Sequence, residues 1–260
     1  MKLKKALSGA LLAAAFLGAA ACSAQPMATP VPIPVESMTP SKEANPSTSL
    51  PASKKPATCQ GYVGMTFDDG PTELTDQYLS VLQHYDVHAT FFNLGKYEND
   101  RPRETLHIVQ AGHVLANHTQ THPDMNKLTK EERAKEFSEP IHVNELLGHG
   151  KFEFWRPPYG STSPEIRREG EALGMTEVLW EKDSKDFETT DPKKIIEKSR
   201  GMNDGDILLM HDGKPQTLAA LPGIINEYYE RGLCWGKLVR VDQERKTDVG
   251  TTHVVRAVKP

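Results

Sequence analysis

Between residues 59 and 260, short apolar runs rich in β-branched and aromatic residues alternate with segments whose apolar positions recur at helical spacing. The runs Tyr62–Phe67, Ala89–Asn93, Val114–Ala116, Phe152–Trp155, Glu177–Trp180, Asp206–Met210 and Lys237–Val241 read as strands. Leu74, Tyr78, Val81, Leu82 and Tyr85 share one face of a helix. Thr129 with Glu132 predicts a capping box. Ser163-Pro164 and Asp191-Pro192 each predict a cap followed by Pro at the first helical position, and Gly174, Gly201 and Gly232 sit where helices should stop. Pro140 is expected to break or kink the helix that starts near Thr129. Strands alternating with about six helices predict an α/β domain with a parallel sheet and helical crossovers. The polar groups at the strand ends, described below, favour closure into a (β/α) barrel of about seven parallel strands over a doubly wound sheet.

The pattern changes before residue 59. Met1–Lys5 is cationic and Ala6–Ala21 is apolar or small throughout, which reads as an export signal over residues 1–21, too short and Ala-rich for a spanning helix. Ala19-Ala20-Ala21-Cys22 resembles a bacterial lipoprotein box, although Leu is more usual where Ala19 stands. Lipidation of Cys22 would anchor the chain to the cell envelope; ordinary cleavage at the same Ala run would leave it secreted. Residues 22–58 hold eight of the 19 prolines and no aromatic residue, and are expected to form a disordered tether ahead of a domain at 59–260. Cys59 and Cys234 flank the first and last strands, and in an exported chain they are placed to pair.

Composition narrows the class. Three cysteines are too few for a disulfide mini-protein, and no repeat suggests a fibre. The net charge is −4, and Lys2, Lys4 and Lys5 all precede Cys22, so the remainder is more acidic still. Such a chain, with no basic stripe, is not expected to bind nucleic acid. A monomer is expected, with any membrane contact made only through an N-terminal lipid.

Chemistry gathers behind the strands. The first is followed by Asp68-Asp69-Gly70-Pro71, the third by Asn117-His118 through His122-Pro123, the fourth by Arg156 through Gly160, the fifth by Asp183 through Phe187, and the sixth by His211-Asp212-Gly213. In a parallel barrel these ends share one face, the face where barrel enzymes keep their active sites. His118 and His122 are spaced to grip one metal ion, although Pro123 disfavours helix at His122. Two imidazoles and one carboxylate leave open coordination positions, the layout of a catalytic rather than a structural zinc site. Of two neighbouring carboxylates, one suits a metal ligand and the other a proton acceptor. Arg156 suits a tether for the second carboxylate, and His211 a proton donor oriented by Asp186.

Phe67-Asp68-Asp69-Gly70, His118–His122, Arg156–Gly160, Asp183–Phe187 and Leu208–Asp212 resemble, in order, the five motifs of the polysaccharide deacetylase family, carbohydrate esterase family four. The resemblance covers about residues 61–241, and Gly61–Gly70 with the placement of Cys59 and Cys234 is most similar to the secreted acetylxylan esterase and chitooligosaccharide deacetylase branch. It implies a distorted seven-stranded barrel with Asp68 as catalytic base and Asp69, His118 and His122 as ligands to zinc or a similar divalent metal such as cobalt. It further implies Arg156 as the tether of the base, Asp186 as partner of the catalytic acid His211, a Tyr159 backbone N–H at the oxyanion, and Leu209 beside the acetyl methyl. Phe187 stands where the family usually has Trp, which keeps an aromatic wall but removes the indole N–H; for Phe187 simple core packing is the competing expectation.

The expected function is metal-dependent removal of acetyl groups from an extracellular polysaccharide, whether a polymer of N-acetylglucosamine such as peptidoglycan or chitin oligosaccharide, or acetylxylan. A glycan-binding lipoprotein without activity is the alternative; a degenerate copy should have lost a ligand, the base or the acid, and none is missing. An iron(II) oxygenase also uses two His and a carboxylate, but on a β scaffold that this alternation does not suggest.

Overall fold

The computed structural model describes residues 49–247 and 250–260. The expected signal peptide, Cys22 and most of the expected tether lie outside the described residues. The elements are β1 (Gly61–Gly70), α1 (Thr75–His84), β2 (Thr90–Asn93), α2 (Gly95–Asp100), α3 (Pro102–Gln110), β3 (Val114–Asn117), α4 (Lys130–Leu146), β4 (Phe154–Trp155) and α5 (Pro164–Ala172). They continue with β5 (Thr176–Glu177), β6 (Lys182–Asp183), α6 (Pro192–Lys198), β7 (Ile207–His211), α7 (Pro215–Glu230), β8 (Leu233–Thr247) and β9 (Gly250–Val258).

Local signals set the helix starts. The Thr129 hydroxyl accepts from Glu132 N at 3.3 Å while the Glu132 carboxylate accepts from Thr129 N at 2.8 Å, a complete capping box. Ser163 and Asp191 cap α5 and α6, each followed by Pro. Pro140, however, does not break α4, which runs through it to Leu146. Its buried ring packs where Gly95 of α2 leaves no side chain: a Cβ there would lie 2.8 Å from Pro140 Cγ. That contact holds the helix together across the missing N–H.

The strands order as β5-β4-β3-β2-β1-β7-β6, all pairs parallel. The expected strand Glu177–Trp180 is instead an interruption. β5 pairs with β4 at one end of the sheet and β6 pairs with β7 at the other, so residues 176–183 join both edges of the curled sheet into a distorted barrel. The ladder breaks between them because the carbonyls of Val178 and Leu179 accept from the Arg156 guanidinium at 3.1 and 3.2 Å. The last strand also departs from expectation. It runs Leu233–Thr247, pairs β1 through Gly61–Gly64, and forms an antiparallel hairpin with β9, so the sheet is not wholly parallel.

Strand alternation sorts the core into two layers. Val63, Met65, Phe67, Leu208 and Met210 face the helices with Tyr78, Leu82, Ile224 and Tyr228, and Phe67 lies edge-on to Tyr78 and stacked on Phe91 at about 5 Å. Phe92, Ala116, Phe154, Val178 and Ile207 fill the barrel interior with Leu238 and Ala257 of the hairpin. Those two contact Gly64, early in β1, where a Cβ would meet Leu238 at 2.6 Å. The hairpin therefore floors the end of the barrel opposite the polar loops.

Cys59 and Cys234 are disulfide-bonded, with Cα atoms 5.6 Å apart at a sequence separation of 175. Closing so long a loop stabilises by about 5 kcal/mol in the chain-entropy account. The end of the expected tether is also held. Asn226 and the backbone of Ala52 and Lys54 exchange hydrogen bonds, Pro51 accepts from Tyr85, Lys55 pairs with Asp86, and Leu50 packs on the core. Among the described residues no helix is long and apolar enough to cross a membrane.

Candidate active site

An ordinary strand would send Asp68 and Asp69 to opposite faces. Here the β1–β2 register shifts between Asp68 and Gly70, and Asp69 adopts φ 69°. This bulge turns both carboxylates into one site. Gly70 permits the tight exit, since a Cβ there would lie 2.7 Å from Asp212 Oδ2 and 2.8 Å from Asn93 Oδ1. Thr119 (φ 72°), His122 (φ 67°), Tyr159 (φ 60°) and Lys185 (φ 56°) are also left-handed. Five of the six non-glycine residues with positive φ among those described thus lie at the bulged end of β1 or in loops at the same end of the barrel, the strain that accompanies functional sites. His122, before Pro123, is in a loop as expected.

Asp69, His118 and His122 converge, their ligating atoms all within 4.8 Å of one another. Asp69 Oδ1 lies 3.6 Å from His118 Nε2 and 3.4 Å from His122 Nε2. His118 donates its Nδ1–H to the Arg156 carbonyl at 2.8 Å, so its Nε2 presents a lone pair to the site. Burial drives the His118 pKa down to about 3 against the pull of Asp69, leaving the ring neutral. Asp69 Oδ1 is buried with no hydrogen-bond partner. A buried carboxylate oxygen facing an imidazole lone pair is favourable only around a cation, and two imidazoles with one carboxylate suit a borderline divalent ion such as zinc.

Two further pairs flank the triad. Asp68 Oδ1 accepts from Arg156 Nη1 at 2.7 Å, and its other oxygen lies 3.6 Å from His118 Nε2. Burial pushes the Asp68 carboxyl up, and the Arg156 guanidinium pulls it part of the way back. Arg156 is itself 0% exposed, bonded to Thr66 Oγ1 and two carbonyls, and its guanidinium lies 4.0 Å from the Phe92 ring centroid. On the other side, His211 Nδ1–H donates to Asp186 Oδ1 at 2.7 Å. Asp186 also accepts from the His211 N–H and the Thr217 hydroxyl. Burial pulls the His211 pKa down, but Asp186, Asp68 and Asp69 together outweigh it and raise the pKa. Asp68 and His211 are register partners on β1 and β7, so the two pairs sit on neighbouring strands.

Aromatic residues form the rim. The Tyr159 ring, 71% exposed, lies 4.6 Å from that of His122, and Phe187 lies 5.6 Å from His211. Phe187 is 55% exposed, which overturns core packing for it. Leu209 is buried two residues before His211 on the same barrel-facing side of β7. Sequence reasoning gave no role to several supporting groups. Glu136 of α4 accepts from Gln120 N at 2.9 Å and from Thr121 N and Oγ1 at 2.8 and 2.7 Å, fixing the loop between the two histidines. Asp212 accepts from Thr72, Thr75 and Gly213 N, and its own N–H donates to the Asp68 carbonyl. A polar residue on an exposed helix face carries no sequence signal for such a contact.

The profile of the polysaccharide deacetylase family matches residues 55–178. The chain is 31% identical over 182 residues to the bifunctional xylanase/xylan deacetylase of Cellvibrio japonicus, a match that covers 69% of this chain and 27% of that protein. It is 32% identical over 186 residues to the chitooligosaccharide deacetylase of Sinorhizobium fredii, covering 65% and 86%. The chain thus spans about a quarter of the first relative and most of the second. Among solved structures, the family 4 carbohydrate esterase from Streptomyces lividans in complex with acetate superposes with a TM-score of 0.69 at 35% identity, over 78% of this chain and 100% of that one.

Proposed function

The chain belongs to the polysaccharide deacetylase family, and on that premise we propose that it hydrolyses acetyl groups from an extracellular polysaccharide. The observation that carries the reading is the orphaned Asp69 oxygen facing two imidazole nitrogens, with a guanidinium-held carboxylate on one flank and a carboxylate-held imidazole on the other. Asp69, His118 and His122 hold a divalent cation, zinc first and cobalt next by donor set. When bound, such an ion supplies Lewis-acid polarisation of an acyl oxygen and acidifies water.

Asp68, raised by burial but kept oriented by Arg156, accepts a proton from the attacking water. The Tyr159 N–H donates to the oxygen on which charge develops. His211 donates a proton to the departing sugar nitrogen or oxygen, and Asp186 holds its other nitrogen and steadies the imidazolium. Leu209, Tyr159 and Phe187 line the acetyl and sugar positions. The same groups serve an amide and an ester, because both bonds present one carbonyl and one basic leaving atom. The export-like N-terminus and a disulfide joining distant segments support a location outside the cytoplasm, lipid-anchored through Cys22 or secreted.

Acetate release from chitooligosaccharide, peptidoglycan and acetylxylan should stop with chelator and return with zinc. Asp68→Asn and His211→Ala should each lower it by about 10²-fold or more while zinc stays bound. Near wild-type rates in both variants would overturn the reading, and glycan binding without acetate release by the zinc-loaded chain would establish the binding-protein alternative.

A further inference from the structure

Asp212 directly follows the proposed acid, yet the chemistry above gives it no part, and it is only 2% exposed. Every group it meets is a donor. The Thr75 hydroxyl accepts from Thr72 N–H at 2.8 Å, so its own hydrogen goes to Asp212 Oδ2 at 2.5 Å. The Thr72 hydroxyl accepts from Leu74 N–H at 3.2 Å, so its hydrogen goes to Asp212 Oδ1 at 3.2 Å. Gly213 N–H donates to that same oxygen at 2.7 Å. Three donors over two oxygens call for a group that only accepts, a carboxylate. An amide in its place would set an NH2 against a hydroxyl whose hydrogen already points that way. Burial raises the Asp212 pKa, and the bonds from Thr75, Gly213 and Thr72 draw it part of the way back.

These bonds converge on the turn that leaves β1. Thr72 and Thr75 lie just beyond Gly70, and a Cβ on Gly70 would stand 2.7 Å from Asp212 Oδ2. The Asp212 N–H donates to the Asp68 carbonyl at 2.9 Å. One residue thus grips the bulge on both sides, by its main chain at Asp68 and by its side chain past Gly70. Between these grips Asp69 holds φ 69°, a conformation that persists in a non-glycine residue only where its surroundings over-determine it. Tyr78 of α1 adds a second latch: its hydroxyl donates to the Lys214 carbonyl at 2.7 Å and accepts from Lys214 N–H at 3.2 Å.

We propose that Asp212 is a positioning residue: it fixes the bulge that turns Asp69 toward the cation, and it ties that bulge to the strand that carries His211. The proposal rests on the reading of Asp69 as a ligand to a divalent cation; it is independent of which glycan is deacetylated.

The test is the zinc affinity of the full-length chain, read by calorimetry, beside the melting temperature of the zinc-free chain. Asp212→Asn should weaken zinc binding about tenfold or more, as loss of a group that holds a metal ligand in place does. Thr75→Val removes one hydroxyl and keeps the shape; it should weaken binding by a smaller factor, and it carries the test should Asp212→Asn not fold. In the double variant the two factors should not multiply, because both changes break the same bond. Tyr229→Phe is the control, since it removes a buried hydrogen bond to Tyr85 at the far end of α1. It should lower the melting temperature and leave zinc affinity where it was. Unchanged zinc affinity in Asp212→Asn and Thr75→Val, factors that multiply, or an equal loss in Tyr229→Phe would overturn the proposal. Weakened zinc binding in the variants with no acetate released by the wild type from any glycan would keep it and sink the deacetylase reading. A wild type that binds no zinc would sink the cation reading and this proposal with it.

Discussion

Asp186 sets the pH range in which His211 can serve as the proposed acid. It contributes both a 2.7 Å hydrogen bond and a buried negative charge that raise the His211 pKa against burial. An acid must hold its proton to act, so the raised pKa carries the alkaline limb of the rate profile upward. Asp186→Asn removes the largest raising influence. The alkaline limb of kcat/KM should then move to lower pH and the rate should fall by about 10²-fold or more, while zinc affinity, read by calorimetry, stays unchanged because Asp186 is no ligand. An unmoved limb would contradict this assignment. Glu98 shows the opposite sign. It is fully buried, and burial pushes its carboxyl up to about 8, with only Asn93 opposing. The folded chain keeps a proton that the unfolded chain releases above its ordinary pKa, so stability falls as pH rises between those two values. At about 1.4 kcal/mol per pKa unit the loss amounts to a few kcal/mol. The melting temperature of the wild type should therefore drop from pH 5 to pH 8 relative to Glu98→Gln, and parallel curves for the two would show that Glu98 titrates normally.

Short elements determine the site's precision, and they are where the sequence was least informative. That Asp68 and Asp69 both matter was visible from their position behind an apolar run; that they point to one place was not, because the bulge depends on β1 pairing with β2. The order of polar loops behind the strands was legible because apolar runs and caps such as Thr129–Glu132 leave local patterns. The split of residues 176–183 was not, since Arg156, twenty residues earlier, takes the carbonyls that would have extended the ladder. Strand β9 went unread for a similar reason: it gains its apolar contacts from the barrel floor rather than from a strong run of its own. Glu136 of α4 illustrates the same dependence, gripping the 120–121 loop with three hydrogen bonds. Glu136→Gln should weaken zinc binding by about tenfold through misplacement of His122, with little change in melting temperature; unaltered zinc affinity would show that the loop holds its shape unaided.

The barrel as a whole brings together groups that no local segment could. The proposed ligands lie in the last turn of β1 and just after β3, the guanidinium just after β4, the proposed acid ends β7 and its partner follows β6. Their meeting was predictable only from the closed parallel arrangement, which puts every strand's C-terminal end on one face. The hairpin of β8 and β9 closes the other face, and the Cys59–Cys234 bridge ties the first strand to it, so the loops are carried on a frame fixed from below. The proposed chemistry depends on the convergence of Asp69, His118 and His122 on a single ion. The direct measurement is X-ray absorption at the zinc edge on the full-length chain loaded with one equivalent of zinc. The account predicts two imidazole nitrogens at about 2.0–2.1 Å with the remaining ligands oxygen, falling to one imidazole in His122→Ala. A first shell of oxygen alone, or one that His122→Ala leaves unchanged, would contradict it.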